Sequence, residues 1–221
     1  MRVLIGCPTS IHKEYCLKEY LDGINSLTYK YFDLVLVDNS EKSKYYNKLR
    51  ECGVKVIKDG YNESAKERII SSRNKLREYF LKNDYDYLLS LEQDVVPPKD
   101  IIERLMKHKK EICSGLYFKE RDGELVPIMY ISYKEGFAKL PKFEEIPDDE
   151  LVEVVTSGLG CILISRKVVE RVKFRYEKDN EPWDDVWFCE DARTKGFKVY
   201  VDTSVRCKHF IKGMDWSKIK K

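Results

Sequence analysis

The chain has 221 residues, with 41 Lys+Arg against 38 Asp+Glu, a formal net charge of +3, 36% charged and 43% hydrophobic residues. That balance excludes an acidic disordered chain, and the longest apolar runs, Leu34 to Val37 and Cys161 to Ile164, fall far short of the roughly 18 residues of a membrane span. Seven cysteines without any C-x-x-C spacing exclude a zinc ribbon and a disulfide framework and predict reduced, mostly buried thiols.

Arg2 to Cys7 (RVLIGC) reads as a buried strand running into Pro8-Thr9-Ser10, followed by a helical spacing of Leu17, Leu21 and Ile24. Asp33 to Val37 and Val54 to Ile57 read as two further strands, each ending in a polar loop, Asp38-Asn39-Ser40 and Lys58-Asp59-Gly60. Ser64 to Leu81 is helical in pattern, and Tyr85 to Leu91 is a fourth strand. Near-continuous apolar strands alternating with helices predict an α/β fold with a parallel sheet covered on both faces.

Beyond Pro97-Pro98, a helix over Ile101 to His108 leads to a strand over Ile112 to Phe118. Shorter alternating runs at Ile128 to Tyr133 and Leu151 to Thr156 predict a mixed half with antiparallel pieces, and Leu140 to Glu150 reads as a surface loop. A helix over Val186 to Lys195, stopped by Gly196, and a strand over Lys198 to Val201 follow. The expected organisation over 1–221 is one compact domain with halves at 1–98 and 99–205 and a basic tail at 206–221, in which six Lys/Arg face one Asp. The body is near neutral and shows no positive stripe, so nucleic acid is not an expected partner. The opening residues show no apolar leader with a cleavage site, and a cytoplasmic protein is expected.

Ligands of open parallel sheets bind at the carboxyl ends of the strands. Acids follow three of these strands: Asp38, Asp59 and the set Glu92-Gln93-Asp94. Cys7-Pro8-Thr9-Ser10 is not a glycine-rich dinucleotide turn and no P-loop occurs, so phosphate must be held by other means. In an extended strand end, Glu92 and Asp94 at i and i+2 point to one side, where two hard oxygens suit Mg2+ or Mn2+ bridging to a diphosphate; a merely solvated acidic turn is the alternative. Arg73 lies on the stripe Ile69, Arg73, Leu76 and Phe80 that faces the sheet, so it needs an acid such as Asp38, or a phosphate.

Asp184 and Asp185, flanked by Trp183 and Trp187, read either as helix N-caps or as a general base whose pKa desolvation raises. Glu190-Asp191 reads as a solvated face, and His12 and His108 as exposed. His209 follows a strand and could complete a metal site begun by Asp94, while Gly158-Leu159-Gly160 permits close approach of a ligand or of another chain segment.

Seven pieces in order, Val3 to Ser10, Val35 to Ser40, Ser72-Arg73-Asn74, Tyr87 to Pro97, Thr156 to Gly160, Asp184 to Cys189 and Gly196 to His209, resemble a GT-A-fold glycosyltransferase, most like the family-2 nucleotide-sugar transferases. The resemblance spans nearly the whole chain. It implies a Rossmann-like nucleotide-binding half over 1–98 with a mostly parallel central sheet, and a mixed acceptor-side half over 99–205. It makes Glu92-Gln93-Asp94 the D-x-D element, with Asp94 the direct ligand of Mn2+ or Mg2+, joined by Glu92 and by His209 at the metal or diphosphate. Pro8, Thr9, Asp38, Arg73, Glu92 and Gln93 would contact the nucleotide, and Gly158, Leu159, Gly160 and Trp183 the sugar or the acceptor.

Asp185 matches the second acid of the family's E-D pair, which in inverting members takes the acceptor's proton; Asp184 is its partner and Asp191 the reserve base. Glu92 stands for the first Asp of D-x-D, and Asp184 for the Glu of E-D. The implied partners are a UDP- or GDP-type sugar donor and a glycan or lipid-linked acceptor. Independently of the resemblance, the basic tail over 206–221, with Phe210, Ile211, Met214 and Trp216 among its cations, reads either as a solvated terminal segment or as a weak dock on anionic lipid. Two other readings stay open: a sugar nucleotidyltransferase, which would want a glycine-rich basic loop after the first strand, and a non-catalytic nucleotide- or carbohydrate-binding protein.

Overall fold

Apolar runs long enough to be buried on both faces dominate the first hundred residues, and in the computed structural model, which describes residues 1–134, 137–177 and 182–210, they form parallel strands. β1 (Val3–Thr9) pairs with β2 (Phe32–Asp38), β2 with β3 (Lys55–Lys58), and β4 (Tyr87–Leu91) lies parallel on the other side of β1. Between them run a 3-10 helix (Ile11–Cys16), α1 (Leu17–Ser26), α2 (Lys44–Glu51) and α3 (Ala65–Leu81). Ser64 caps α3 by accepting the Glu67 N–H at 3.3 Å.

The second half opens with β5 (Val95–Val96), α4 (Ile101–Lys107), β6 (Ile112–Leu116) and the hairpin β7 (Phe118–Arg121) and β8 (Glu124–Pro127). It continues through β9 (Met129–Lys134), β10 (Phe137–Lys139), β11 (Leu151–Val154), β12 (Thr156–Ser157), β13 (Cys161–Ser165) and α5 (Arg166–Arg171). Finally come α6 (Asp184–Thr194), β14 (Val199–Arg206) and β15 (Lys208–His209). The central sheet has eight strands in the order β11-β14-β6-β13-β4-β1-β2-β3. β13 runs antiparallel to β4 and β6, β14 parallel to β6 and β11 antiparallel to β14, so the predicted parallel half and mixed half form one sheet.

Alternation along each strand divides the core between the two faces. Leu4, Val35, Leu76, Phe80, Leu88 and Phe188 cluster on the face covered by α3 and α6, and Val3, Ile5, Tyr20, Leu36, Leu49 and Ile101 on the face covered by α1, α2 and α4. Full burial of each such side chain contributes about 1.5–3 kcal/mol.

Several expectations are corrected. His108 is the C-cap of α4, half-buried, with Nε2 2.7 Å from an Asp202 carboxylate oxygen. The last long strand covers Val199–Arg206, the full strand-like run Val199 to Val205 and not only the part to Val201, and Asp202 within it is bonded to Ser204 and His108. The run over 112–118 divides into β6 and β7, and the 140–150 loop carries a 3-10 turn at Phe143–Glu145 and a buried Ile146. All seven cysteines are free thiols, and Cys52 alone is exposed. Among the described residues no helix is long and apolar enough to cross a membrane. Positions 211–221 of the basic tail lie outside the described residues.

This topology sets the carboxyl ends of β1 to β4 along one edge. Because β13 is antiparallel to β4, its leading Gly160 reaches the same edge, where its carbonyl accepts the Glu92 N–H at 2.9 Å. β15 pairs antiparallel with β5, setting His209 opposite Val95, beside Asp94.

Candidate active site

The segment after β4 is a reverse turn: the Val95 N–H donates to the Glu92 carbonyl at 2.9 Å. Side chains at i and i+2 share a side only on extended backbone, so the turn separates Glu92 from Asp94. Glu92 accepts from Arg73 Nη2 at 2.6 Å, whereas Asp94 turns to Lys13 and His209, so the two carboxylates do not share one partner. Gln93 between them is buried; its Oε1 accepts from Thr9 Oγ1 at 2.5 Å and Tyr45 OH at 2.8 Å, and its Nε2 donates to the Lys13 carbonyl at 2.6 Å. These bonds hold the turn against β1 and the 3-10 helix.

Asp94 is 4% exposed. Its Oδ2 accepts from Lys13 Nζ and lies 3.5 Å from His209 Nε2. His209 Nδ1 is 2.8 Å from the Phe118 carbonyl, which can only accept, so Nδ1 carries the hydrogen and Nε2 faces the acid. The Tyr117 ring meets the imidazole edge-on at 5.4 Å. Burial pushes the Asp94 carboxyl up, but His209 and Lys13 more than offset it and hold the group below the ordinary carboxylate range. Asp94 Oδ1 is buried without a hydrogen-bond partner among the described residues.

Arg73, also 4% exposed, donates from Nε to Asp184, from Nη1 to Ser90 Oγ at 3.1 Å and from Nη2 to Glu92. Burial lowers its pKa, and the charges of Asp184 and Glu92 more than restore it. The expected partner, Asp38, is committed elsewhere. It is opposite Lys58 in the β2–β3 register, accepts from Lys58 Nζ at 2.8 Å and Ser40 Oγ at 2.5 Å, and is fully buried. Asp59 is likewise bound to Ser71, Ser72 and Lys75.

Neither Asp184 nor Asp185 is an N-cap: the N-cap is Trp183, with no side-chain bond, and both acids lie in the first turn of α6. Burial first, and the Asp184 charge second, push the Asp185 carboxyl up to about 6, against the opposing pull of the Val186 N–H and Arg73. The reserve acid Asp191 is held by Arg175 at 2.8 and 3.0 Å, and Glu190 pairs with Arg193. Trp183 keeps 48% of its surface exposed. Gly158 and Gly160 admit another chain segment: added Cβ atoms would stand 2.1 and 2.6 Å from the Tyr117 hydroxyl, which accepts the Gly160 N–H at 2.8 Å.

A cavity of about 340 Å³ opens at this edge. Of the residues singled out in the sequence, it brings together Pro8, Thr9, Arg73, Glu92, Gln93, Leu159, Trp183, Asp184, Asp185 and His209; Asp38, Asp94, Gly158 and Gly160 stand behind its lining. Ser10, Lys13, Asn39, Arg68, Tyr117 and Lys119 also line it; Ser10 and Asn39 belong to segments that carry the resemblance without being singled out as site residues, and the other four were not foreseen. For Ser10 and Asn39 the signal was present, since both sit in the loops directly after strands; Lys13 carries no such mark. A larger hollow of about 920 Å³ beside the 140–148 loop shares none of these residues.

No family model and no curated protein sequence matches the chain. Solved structures do. The chain is similar to A197 from STIV, with 18% identity and a TM-score of 0.53 over 96% of this chain and 86% of that one. It is similar to GalNAc-T7, solved with UDP, GalNAc and Mn2+, with 14% identity and a TM-score of 0.70 over 96% of this chain and 44% of that one. It is also similar to the mannosyltransferase PcManGT from Pyrobaculum calidifontis, solved with GDP-Man and Mn2+, with 14% identity and a TM-score of 0.63 over 93% of this chain and 56% of that one. The chain thus spans about half the length of these two transferases. At such identities the likeness establishes architecture, and the chain has the GT-A glycosyltransferase fold.

Proposed function

We propose that the protein is a metal-dependent, inverting glycosyltransferase that moves a sugar from a nucleotide diphosphate-sugar to an acceptor hydroxyl. One observation carries this reading. A desolvated carboxylate, Asp185, with a pKa of about 6, opens on the same strand-end cavity as the imidazole that faces Asp94.

The residues present fit a divalent ion. Asp94 offers a buried oxygen without a partner, and His209 presents Nε2 because Nδ1 is bound to a backbone carbonyl, the usual arrangement of a ligating histidine. Among the described residues no three His, Cys, Asp or Glu side chains form a cage. Mg2+ and Mn2+ at phosphate sites are commonly held by one or two carboxylates, with substrate phosphates and water filling the remaining positions. Asp94, with His209 beside it, would hold such an ion together with a diphosphate. Glu92, bound to Arg73, is not part of this set. When bound, the ion supplies Lewis-acid stabilisation of the departing diphosphate.

Pro8, Thr9, Asn39, Arg68 and Ile69 line the cavity, and a nucleoside would lie against this wall, at the carboxyl ends of β1 and β2. Asp185 takes the proton from the acceptor hydroxyl as that oxygen bonds to the anomeric carbon and the bond to the diphosphate oxygen breaks. Arg73, with all its nitrogens committed, is a positioning residue that holds Asp184 and Glu92 on either side of the reaction space. The exposed Trp183 ring beside the base offers a stacking face for a sugar ring of a glycan or lipid-linked acceptor.

The test is release of UDP or GDP, with sugar transfer to a panel of glycan acceptors, by the wild type and by Asp185→Asn in Mn2+. Transfer by the wild type alone, with nucleotide binding kept in the variant, is expected. Pyrophosphate release from a nucleoside triphosphate would instead identify a nucleotidyltransferase, and nucleotide binding without turnover on any acceptor would identify a binding protein.

A further inference from the structure

We propose that Lys13 is the resident counter-cation of the Asp94–His209 site and that a divalent ion enters by displacing it. This inference rests on the reading that Asp94 and His209 hold such an ion.

Lys13 lies in the 3-10 helix after β1, and its carbonyl is tied to Gln93 of the turn that carries Asp94. The backbone of Lys13 is therefore fixed to the site, while its side chain approaches from the cavity edge. The ammonium sits on Asp94 Oδ2, and the two side chains are 34% and 5% exposed. On the same carboxylate Oδ1 is buried and unpartnered, so the lysine satisfies only half of the acid and leaves a buried anion short of the partners it needs.

Both cations cannot stay. A divalent ion on Asp94 would stand beside the ammonium at a carboxylate that is itself buried, and the partly exposed lysine is the partner with water to move into. His209 cannot move away easily, being anchored to the Phe118 carbonyl, and Asp94 is fixed by its turn. Lys13 has a four-carbon stem at the cavity wall and can swing into the cavity, where the oxygens of a bound diphosphate would replace its carboxylate partner. Metal and nucleoside diphosphate then enter together more readily than metal alone, because the phosphates supply both the missing ligands and the displaced ammonium's new partner.

The test is a Mn2+ titration of the full chain followed by electron paramagnetic resonance of the free ion, with and without UDP or GDP. Without nucleotide, Lys13→Met is expected to bind Mn2+ about tenfold or more tightly than the wild type, Lys13→Arg to remain as weak as the wild type, and Asp94→Asn to bind none. Melting gives a second readout: Lys13→Met melts below the wild type without metal, and Mn2+ restores it. Lys13→Gln replaces Lys13→Met should that variant not fold. Equal or weaker Mn2+ binding by the neutral variant would overturn the inference, as would binding that survives Asp94→Asn. If neither wild type nor variants bind Mn2+ even with UDP or GDP, the metal reading itself falls, and the inference with it.

Discussion

The Arg73 guanidinium and the Asp184 carboxylate, 111 residues apart in the chain, form a buried ion pair that ties α3 to the first turn of α6. Glu92 on the other side of the same guanidinium extends the tie to the end of β4. Two parts of the sheet edge that meet nowhere in sequence are thereby held at one cavity.

Removing the guanidinium leaves Asp184 buried without its partner. Arg73→Met is expected to lose about 3–5 kcal/mol, and Arg73→Met with Asp184→Asn to recover part of that loss. Urea unfolding measures both. A loss of less than about 1 kcal/mol for the single variant would mean that the tie contributes little.

Asp185 should act as a base only when ionised, so turnover is expected to rise with pH through about 6 and level above it. Stability runs the other way. The folded value lies above the ordinary carboxylate value of 3.8, so the native state holds this proton more tightly than the unfolded state. That contribution is fully present below pH about 4 and is lost as pH rises through about 6. Asp185→Asn should therefore cut turnover by about 10²–10⁴-fold. It should also raise the melting temperature at pH 8 by about 2–4 °C, the shift that about 1 kcal/mol produces in a domain of this size. A pH–rate profile of the wild type without a limb near 6 would argue against Asp185 as the base.

Gly158 and Gly160 make room for Tyr117. A methyl group at Gly158 would stand 2.1 Å from the Tyr117 hydroxyl and 2.6 Å from Ile128 Cγ2, and Gly158→Ala is expected to cost about 1–3 kcal/mol. Tyr117→Phe removes one side of that clash and also the acceptor of the Gly160 N–H, so the double variant should lose less than the sum of the singles. Denaturant unfolding of the three variants checks this, and strict additivity would contradict it.

The parallel half of the fold was legible because the apolar runs Val3 to Ile5, Leu34 to Val37 and Leu88 to Leu89 lack the alternation of a half-exposed strand and are separated by helical patterns, as in a doubly covered sheet. The acids at the strand ends were legible for the same reason, but not their partners. Asp38 pairs with Lys58 because parallel register sets the two residues side by side, and register is invisible in composition. The Glu92–Asp94 turn broke the two-residue periodicity on which their shared facing depended. His209 reaches Asp94 through β5 and β15, strands of two residues each, too short to leave a pattern. Lys13, one lysine among many on a polar helical surface, is distinguished by where Gln93 pins its backbone.

Binding of a nucleoside diphosphate together with a divalent ion at this edge is the step on which the proposed transfer depends. The most direct measurement is the melting temperature of the wild type and of Asp94→Ala with UDP, GDP, CDP and their sugar conjugates, each with and without Mn2+. Ligands that bind the native state raise that temperature by mass action. A rise is expected for one nucleotide, requiring Mn2+ and disappearing in Asp94→Ala; no rise with any nucleotide would rule out such a donor site.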